Sequence, residues 1–133
     1  MKTRYDADFS ELKGKTLTTI ENKNNEEIIF TCQDGTQYIQ NHIQDCGESV
    51  TVEDIVGDFE DLIGYPIFLA EEICFEDVNP DGVKVPEYQD SFTWTFYKLA
   101  TIKGSVTIRW YGDSNGYYSE RANFNKLVEE EKL

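Results

Sequence analysis

Basic residues are scarce in this chain. Twelve lysines and arginines face 26 aspartates and glutamates, and the net charge is −14. A surface of that sign repels nucleic acid and anionic membrane at long range, which argues against direct binding to either. Histidine and cysteine are scarce too. His42 stands alone, and Cys32, Cys46 and Cys74 form no C-x-x-C pair, so the usual spacing of a zinc site is missing. An odd cysteine count with no leader-like segment is the expectation for free thiols in a reducing compartment. No apolar run approaches the roughly 18 residues of a membrane-spanning helix. The first residues lead into acidic positions rather than an apolar stretch, so the expectation is no signal peptide and a cytoplasmic location, the host cytosol for a phage-encoded protein.

What is present is unevenly placed. Residues 44–90 hold 14 acidic side chains and one basic one, Lys84. Residues 91–126 hold Lys98, Lys103, Arg109, Arg121 and Lys126 against Asp113 and Glu120, a net +3. The same stretch carries Trp94, Phe96, Tyr97, Trp110, Tyr111, Tyr117 and Tyr118. A local basic and aromatic surface can hold a small anion although the whole chain is acidic, because contacts at a few ångströms outrun a screened field.

The pattern along the chain predicts an α+β domain spanning residues 1–133, mainly an antiparallel sheet with one principal amphipathic helix packed on it. Residues 1–9 read as a loose arm and 10–14 as a single turn. Residues 15–22, 26–32 and 36–43 read as strands of a meander, joined through Asn22, Lys23, Asn24 and Asn25 and then through Asp34-Gly35. The helix is expected over 51–64. Ile55, Val56, Phe59, Leu62 and Ile63 fall at helical spacing, Thr51 is placed to cap, and Gly64 and Pro66 stop the element. Residues 67–75 read as a strand and 78–89 as a loop rich in turn residues. Two alternating strands follow. Phe92, Trp94, Phe96, Val106, Ile108 and Trp110 are assigned to a buried face; Thr93, Thr95, Tyr97, Thr107, Arg109 and Tyr111 to the opposite one. A turn is expected over 112–116, a return strand over 117–122 and a frayed tail over 128–133.

Four stretches carry a resemblance: 41–50 (NHIQDCGESV), 53–58 (EDIVGD), 91–98 (SFTWTFYK) and 109–119 (RWYGDSNGYYS). Over residues 12–124 the chain resembles a family of small uncharacterised proteins found mainly in bacteriophages and bacterial genomes. The resemblance implies a small cytosolic accessory protein and brings no catalytic role. Family members have a second cysteine after Cys46, where this chain has Gly47, which weakens any Cys-Cys metal or redox site here.

Candidate site residues follow from chemistry. Arg109 offers a bidentate fork to phosphate, Thr93, Thr95 and Thr107 offer hydroxyls, and Tyr111, Tyr117 and Tyr118 offer stacking planes. The turn at Ser114 and Asn115 can present backbone N–H groups to an anion. His42, Asp45, Cys46, Glu48 and Ser49 form a polar cluster with mixed metal-ligand chemistry, read first as a connection satisfying backbone groups. The leading expectation is a non-enzymatic binding protein, without cofactor or metal, that sequesters a small anionic nucleotide-derived signal and so blunts a host defence. A second expectation is an acidic DNA mimic that inhibits a host nuclease or other defence enzyme. A third is a metal-dependent hydrolase using His42, Asp45 and Glu48. A homodimer through an unpaired sheet edge is expected in any of these cases.

Overall fold

The computed structural model describes residues 2–44, 47–86, 89–116 and 119–129. Within them run β1 (Lys2–Asp6), β2 (Leu17–Lys23), β3 (Glu27–Cys32), β4 (Gln37–Asn41), β5 (Ser49–Val56), β6 (Leu69–Glu76), β7 (Ser91–Thr101), β8 (Gly104–Ser114) and β9 (Asn123–Glu129). They form a five-stranded sheet in the order β1-β9-β4-β3-β2 and a four-stranded sheet in the order β5-β8-β7-β6. Every pairing within the two sheets is antiparallel.

The two sheets share one core. Ile28, Phe30, Tyr38 and Phe124 come to it from the five-stranded sheet; Val52, Tyr97, Leu99, Val106, Ile108 and Trp110 come from the four-stranded one. Two 3-10 turns plug the gap between them, Phe9–Leu12 with Phe9 and Leu12 buried, and Phe59–Leu62 with Leu62 buried. Phe9 spans the sandwich, its ring 4.8 Å from that of Tyr97 and 5.2 Å from that of Phe124. One polar contact crosses the core: Trp110 Nε1 donates to Gln40 Oε1 at 2.6 Å.

The turns follow from local chemistry. Asn24 and Asn25 take φ of 55° and 59° between β2 and β3, a left-handed pair that asparagine tolerates better than most residues. Between β3 and β4, Gly35 has φ of 89° and Asp34 Oδ1 accepts from Thr36 N at 2.9 Å. That backbone donor, helped by Lys15, pulls the Asp34 carboxyl down to about 2.

The principal helix expected over 51–64 does not form, and the domain is all-β rather than α+β. Residues 51–56 belong to β5, and 59–62 make one 3-10 turn. The reason lies in the residue types. Val50, Thr51, Val52, Ile55 and Val56 are β-branched and stiff at χ1, which favours a pleated strand. Val50 and Val52 alternate into the core while Thr51 does not. Gly57 then ends the strand at φ of 108°, with a Cβ position only 2.5 Å from Ser105 O. The cap also moves: Asp58, not Thr51, accepts from Glu60 N at 3.0 Å. The helical spacing arose from apolar residues divided between a strand end and a turn.

Residues 2–6, expected as part of a loose arm, are a strand paired with β9. β8 runs on through Gly112 to Ser114, where a turn was expected.

Candidate functional site

Register decides which expected site residues share a surface, since cross-strand partners face the same way. Trp94 pairs with Tyr111 and Phe96 with Arg109. Thr95 pairs with the core residue Trp110 and Thr93 with Gly112. The two threonines are 1% and 4% exposed on the core side. So Phe92, Trp94 and Phe96 lie on the outer face with Arg109 and Tyr111, the reverse of the expected assignment for β7. The pattern misled because β7 is buried on both sides. Aromatic residues alternating with threonine look like core, but here the inner face carries Thr93, Thr95, Tyr97 and Leu99.

Asn79 and Gln89, from the two ends of the β6–β7 connection, form a strap over part of the aromatic outer face. Asn79 and Gln89 join their carboxamides reciprocally, each bond 3.0 Å. Trp94 Nε1 donates to Asn79 Oδ1 at 3.0 Å, and Gln89 Nε2 donates to Tyr111 Oη at 3.0 Å. Under this strap Trp94 is 1% exposed although it faces away from the core.

Arg109 is already engaged. Its Nε donates to Glu53 Oε2 at 2.5 Å and its NH2 group to Asp54 Oδ2 at 3.3 Å. The guanidinium also sits 5.9 Å from the ring centres of Trp94 and Phe96. Consecutive strand residues normally face opposite ways, but a bulge between Val52 and Asp54 lets both carboxylates reach the same arginine. One cation between two carboxylates is a net-negative spot, which disfavours a further anion. Arg109→Ala is expected to cost about 1–2 kcal/mol of stability, from partly exposed ion pairs and ring stacking together. Arg109→Met keeps the stem against the rings and should recover about half of that. Urea melts in low and high salt check this; unchanged stability in both variants would show that the network contributes nothing.

The Ser114–Asn115 turn is tied to a carboxylate as well. Ser114 Oγ donates to Glu120 Oε2 at 2.5 Å, and Thr93 Oγ1 donates to Glu120 Oε1 at 3.2 Å. The adjoining cavity is lined by Asp90, Asp113, Ser114 and Asn115, with no cation in its wall among the described residues. Burial, reinforced by Glu120, pushes the Asp113 carboxyl up. Thr107 faces outward between Val56 and Lys98, and Ser49 pairs with Asp113. Tyr117, Tyr118, Asp45 and Cys46 lie outside the described residues.

His42 and Glu48 do meet. Nε2 of His42 is 3.0 Å from Glu48 Oε2, and Nδ1 is 2.9 Å from the carbonyl of Arg121. The two side chains are 3% and 0% exposed, and Gln44 Nε2 donates to Glu48 Oε1 at 2.8 Å. With both ring nitrogens facing oxygens, the imidazole ties three chain segments together. No group of three or more metal-ligating side chains occurs among the described residues. Cys32 and Cys74 are free thiols, and burial pushes the Cys32 thiol up.

A wide cavity lies elsewhere, on the outer face of the five-stranded sheet. Its volume is about 590 Å³. Arg4 of β1 and Thr19, Glu21 and Lys23 of β2 all line it, although β1 and β2 are opposite edges of that sheet. The sheet is therefore curled into a trough. Register resolves this face of the sheet into rows. One row runs Arg4, Leu127, Gln37, Thr31, Thr19; the next holds Asn125, Ile39, Ile29, Glu21; the third holds Asn41, Glu27, Lys23. Leu127, Ile39 and Ile29 make an apolar floor, and Ile39 is 2% exposed there despite facing away from the core. Among the described residues Arg4 has no carboxylate partner. The sequence reading missed this surface. The available signal was the unbroken apolar run Ile28-Ile29-Phe30 in β3, since a strand apolar on both faces is covered on both.

No helix is long and apolar enough to cross a membrane among the described residues. No curated protein and no solved structure matches the chain. The expected resemblance to a family without assigned activity is met at the level of the family: the sequence pattern of the domain of unknown function DUF7448 matches residues 10–124, and the chain belongs to that family.

Proposed function

We propose that this protein binds and sequesters a small anionic, nucleotide-derived molecule, held in the trough of the five-stranded sheet rather than on the Arg109 face. The observation that carries this reading is an apolar-floored concavity of about 590 Å³ with an unpaired arginine at its wall. Small-molecule sites fall in the range of about 300–1,000 Å³ and combine an apolar lining with a few convergent polar groups. Arg4 supplies a bidentate donor, and Thr19, Thr31 and Gln37 supply hydroxyl and amide groups in the same row. The motif likeness to small phage and bacterial proteins supports, by association only, a setting in which such a sink blunts a host defence signal.

The test is to incubate the protein with a nucleotide mixture, remove free ligand, and identify what heating releases. An intact anionic species is expected. Arg4→Ala should lower its affinity about 10- to 100-fold, the worth of a lost charge-assisted contact. Ile29→Trp, which fills the half-buried floor, should abolish retention while thermal melting shows an intact fold. Equal retention by both variants would remove the trough from consideration.

A second reading, the acidic inhibitor, has one observation of its own. Both edge strands of the four-stranded sheet bear carboxylates, Glu53 and Asp54 on β5 and Glu71, Glu72 and Glu76 on β6. Charged edges also discourage sheet-to-sheet pairing, which accounts for much of that placement. If neutralising these residues abolishes activity against a host enzyme while the trough variants do not, this reading takes precedence.

A further inference from the structure

We infer that the trough is bipolar and selects a nucleotide whose base carries an exocyclic amine, with the phosphate at Arg4 and the amine at Glu27. The inference rests on the reading above that the trough is the ligand site, and goes on to its specificity.

The charges of the lining are segregated. The row that begins with Arg4 contains one cation and no carboxylate. Of the carboxylates, Glu21 ends the row of Ile39 and Ile29 at the β2 edge, and Glu27 lies in the row beyond it. They differ in their partners. Lys23 Nζ lies 3.8 Å from Glu21 Oε2, with both side chains more than half exposed. Glu27 has no ion pair among the described residues and is half-buried in the trough wall. Its cross-strand neighbours on the same face are Asn41 and Lys23, and the Lys23 ammonium lies by Glu21. Among the described residues, one end of the trough thus has a cation without a carboxylate partner, and the far corner has a half-buried carboxylate without an ion pair.

A half-buried acceptor left without a donor carries a desolvation cost that a ligand N–H group relieves. The separation fits a nucleotide. Arg4 and Glu27 are three strands and four residues apart, about 14 Å in each direction on a flat sheet, and inward reach of both side chains cuts the diagonal by roughly half. Curling of the sheet shortens it further. A nucleoside monophosphate spans such a gap, with its base over Ile29 and Ile39 and its sugar toward Thr31 and Gln37. The phosphate meets Arg4, and the amine meets Glu27, neither of which has an ion pair among the described residues.

The experiment is titration calorimetry with adenosine 5′-monophosphate, purine riboside 5′-monophosphate, which lacks the amine, and adenosine, which lacks the phosphate. The wild type should bind adenosine monophosphate at least tenfold more tightly than either analogue. Glu27→Gln should remove the preference over the amine-free analogue and leave that analogue's own affinity unchanged. Arg4→Ala should weaken both monophosphates and leave adenosine unchanged. If Arg4→Ala weakens both monophosphates but Glu27→Gln changes nothing, the bipolar inference falls and the trough remains the anion site. If the monophosphates bind no better than adenosine and Arg4→Ala has no effect, the underlying reading falls with it. Glu27→Gln is isosteric at a solvent-facing wall, and its melting curve should match that of the wild type.

Discussion

Replacing Trp110 by phenylalanine should destabilise the protein by about 2–4 kcal/mol, and a second substitution, Gln40→Leu, should restore about 1–2 kcal/mol of that loss. Trp110 is 1% exposed and Gln40 is wholly buried. Gln40 Oε1 accepts from the indole at 2.6 Å, while its Nε2 has no partner. Phenylalanine removes the donor and leaves the carboxamide with neither end satisfied, which adds a desolvation cost to the cavity cost. In the wild-type background Gln40→Leu should instead destabilise, because it leaves the indole N–H buried and unpaired. Removing both polar partners is close to neutral apart from volume. The same substitution therefore changes sign with its background. Urea melts of the two single variants and the double variant measure it, and simple additivity would show that the bond is not what ties the sheets together here.

Gly112→Ala should be comparably severe. A Cβ there would lie 2.1 Å from Glu120 O and 3.0 Å from a Val50 methyl. The first obstacle is backbone, and it is not free to retreat, since Glu120 is held through its side chain by Ser114 and Thr93. Overpacking against flexible neighbours costs about 1–3 kcal/mol, so an immovable one should cost at least about 3 kcal/mol. For a domain of this size that is a fall in melting temperature of about 10 °C or more. Gly116→Ala is the control: φ is 99° but nothing lies within 4 Å, so only backbone strain of about 1–2 kcal/mol is expected. Similar melting temperatures for the two variants would show that the 119–121 segment yields to the new methyl group.

The hairpins were legible in the sequence because their signals are local. Asn24-Asn25 and Asp34-Gly35 each fix a turn by backbone preference alone, and β8 shows clean alternation because one of its faces is polar. Among the features that were not legible, three have separate physical reasons. The apolar spacing through Ile55, Phe59 and Leu62 is shared by a helix and by a strand followed by a turn; only the β-branched residues before Gly57 separate the two. The facing of β7 depends on the strap, whose hold on Trp94 comes from Asn79 and Gln89, far from any periodic signal. The trough depends on two edge strands approaching each other, which no single segment encodes. Of the expected site residues, Arg109, Tyr111 and Thr107 do share a surface. Thr93 and Thr95 do not join them, and the arginine that lines the trough, Arg4, lies in a segment read as a loose arm.

The place of β9 in the five-stranded sheet sets an order of events. β9 lies between β1 and β4, pairing with both. During synthesis the β2–β3–β4 meander can form early from neighbouring contacts, but β1 has nowhere to dock until residues 123–129 have emerged. Closing that pairing spans nearly the whole chain, and such long-range closure slows folding. Until it happens, β4 presents an open hydrogen-bonding edge, so a ribosome-bound or shortened chain lacking β9 exposes a strand that carries part of the trough floor, Ile39. The nascent form, rather than the finished one with its charged edges, is where aggregation should concentrate.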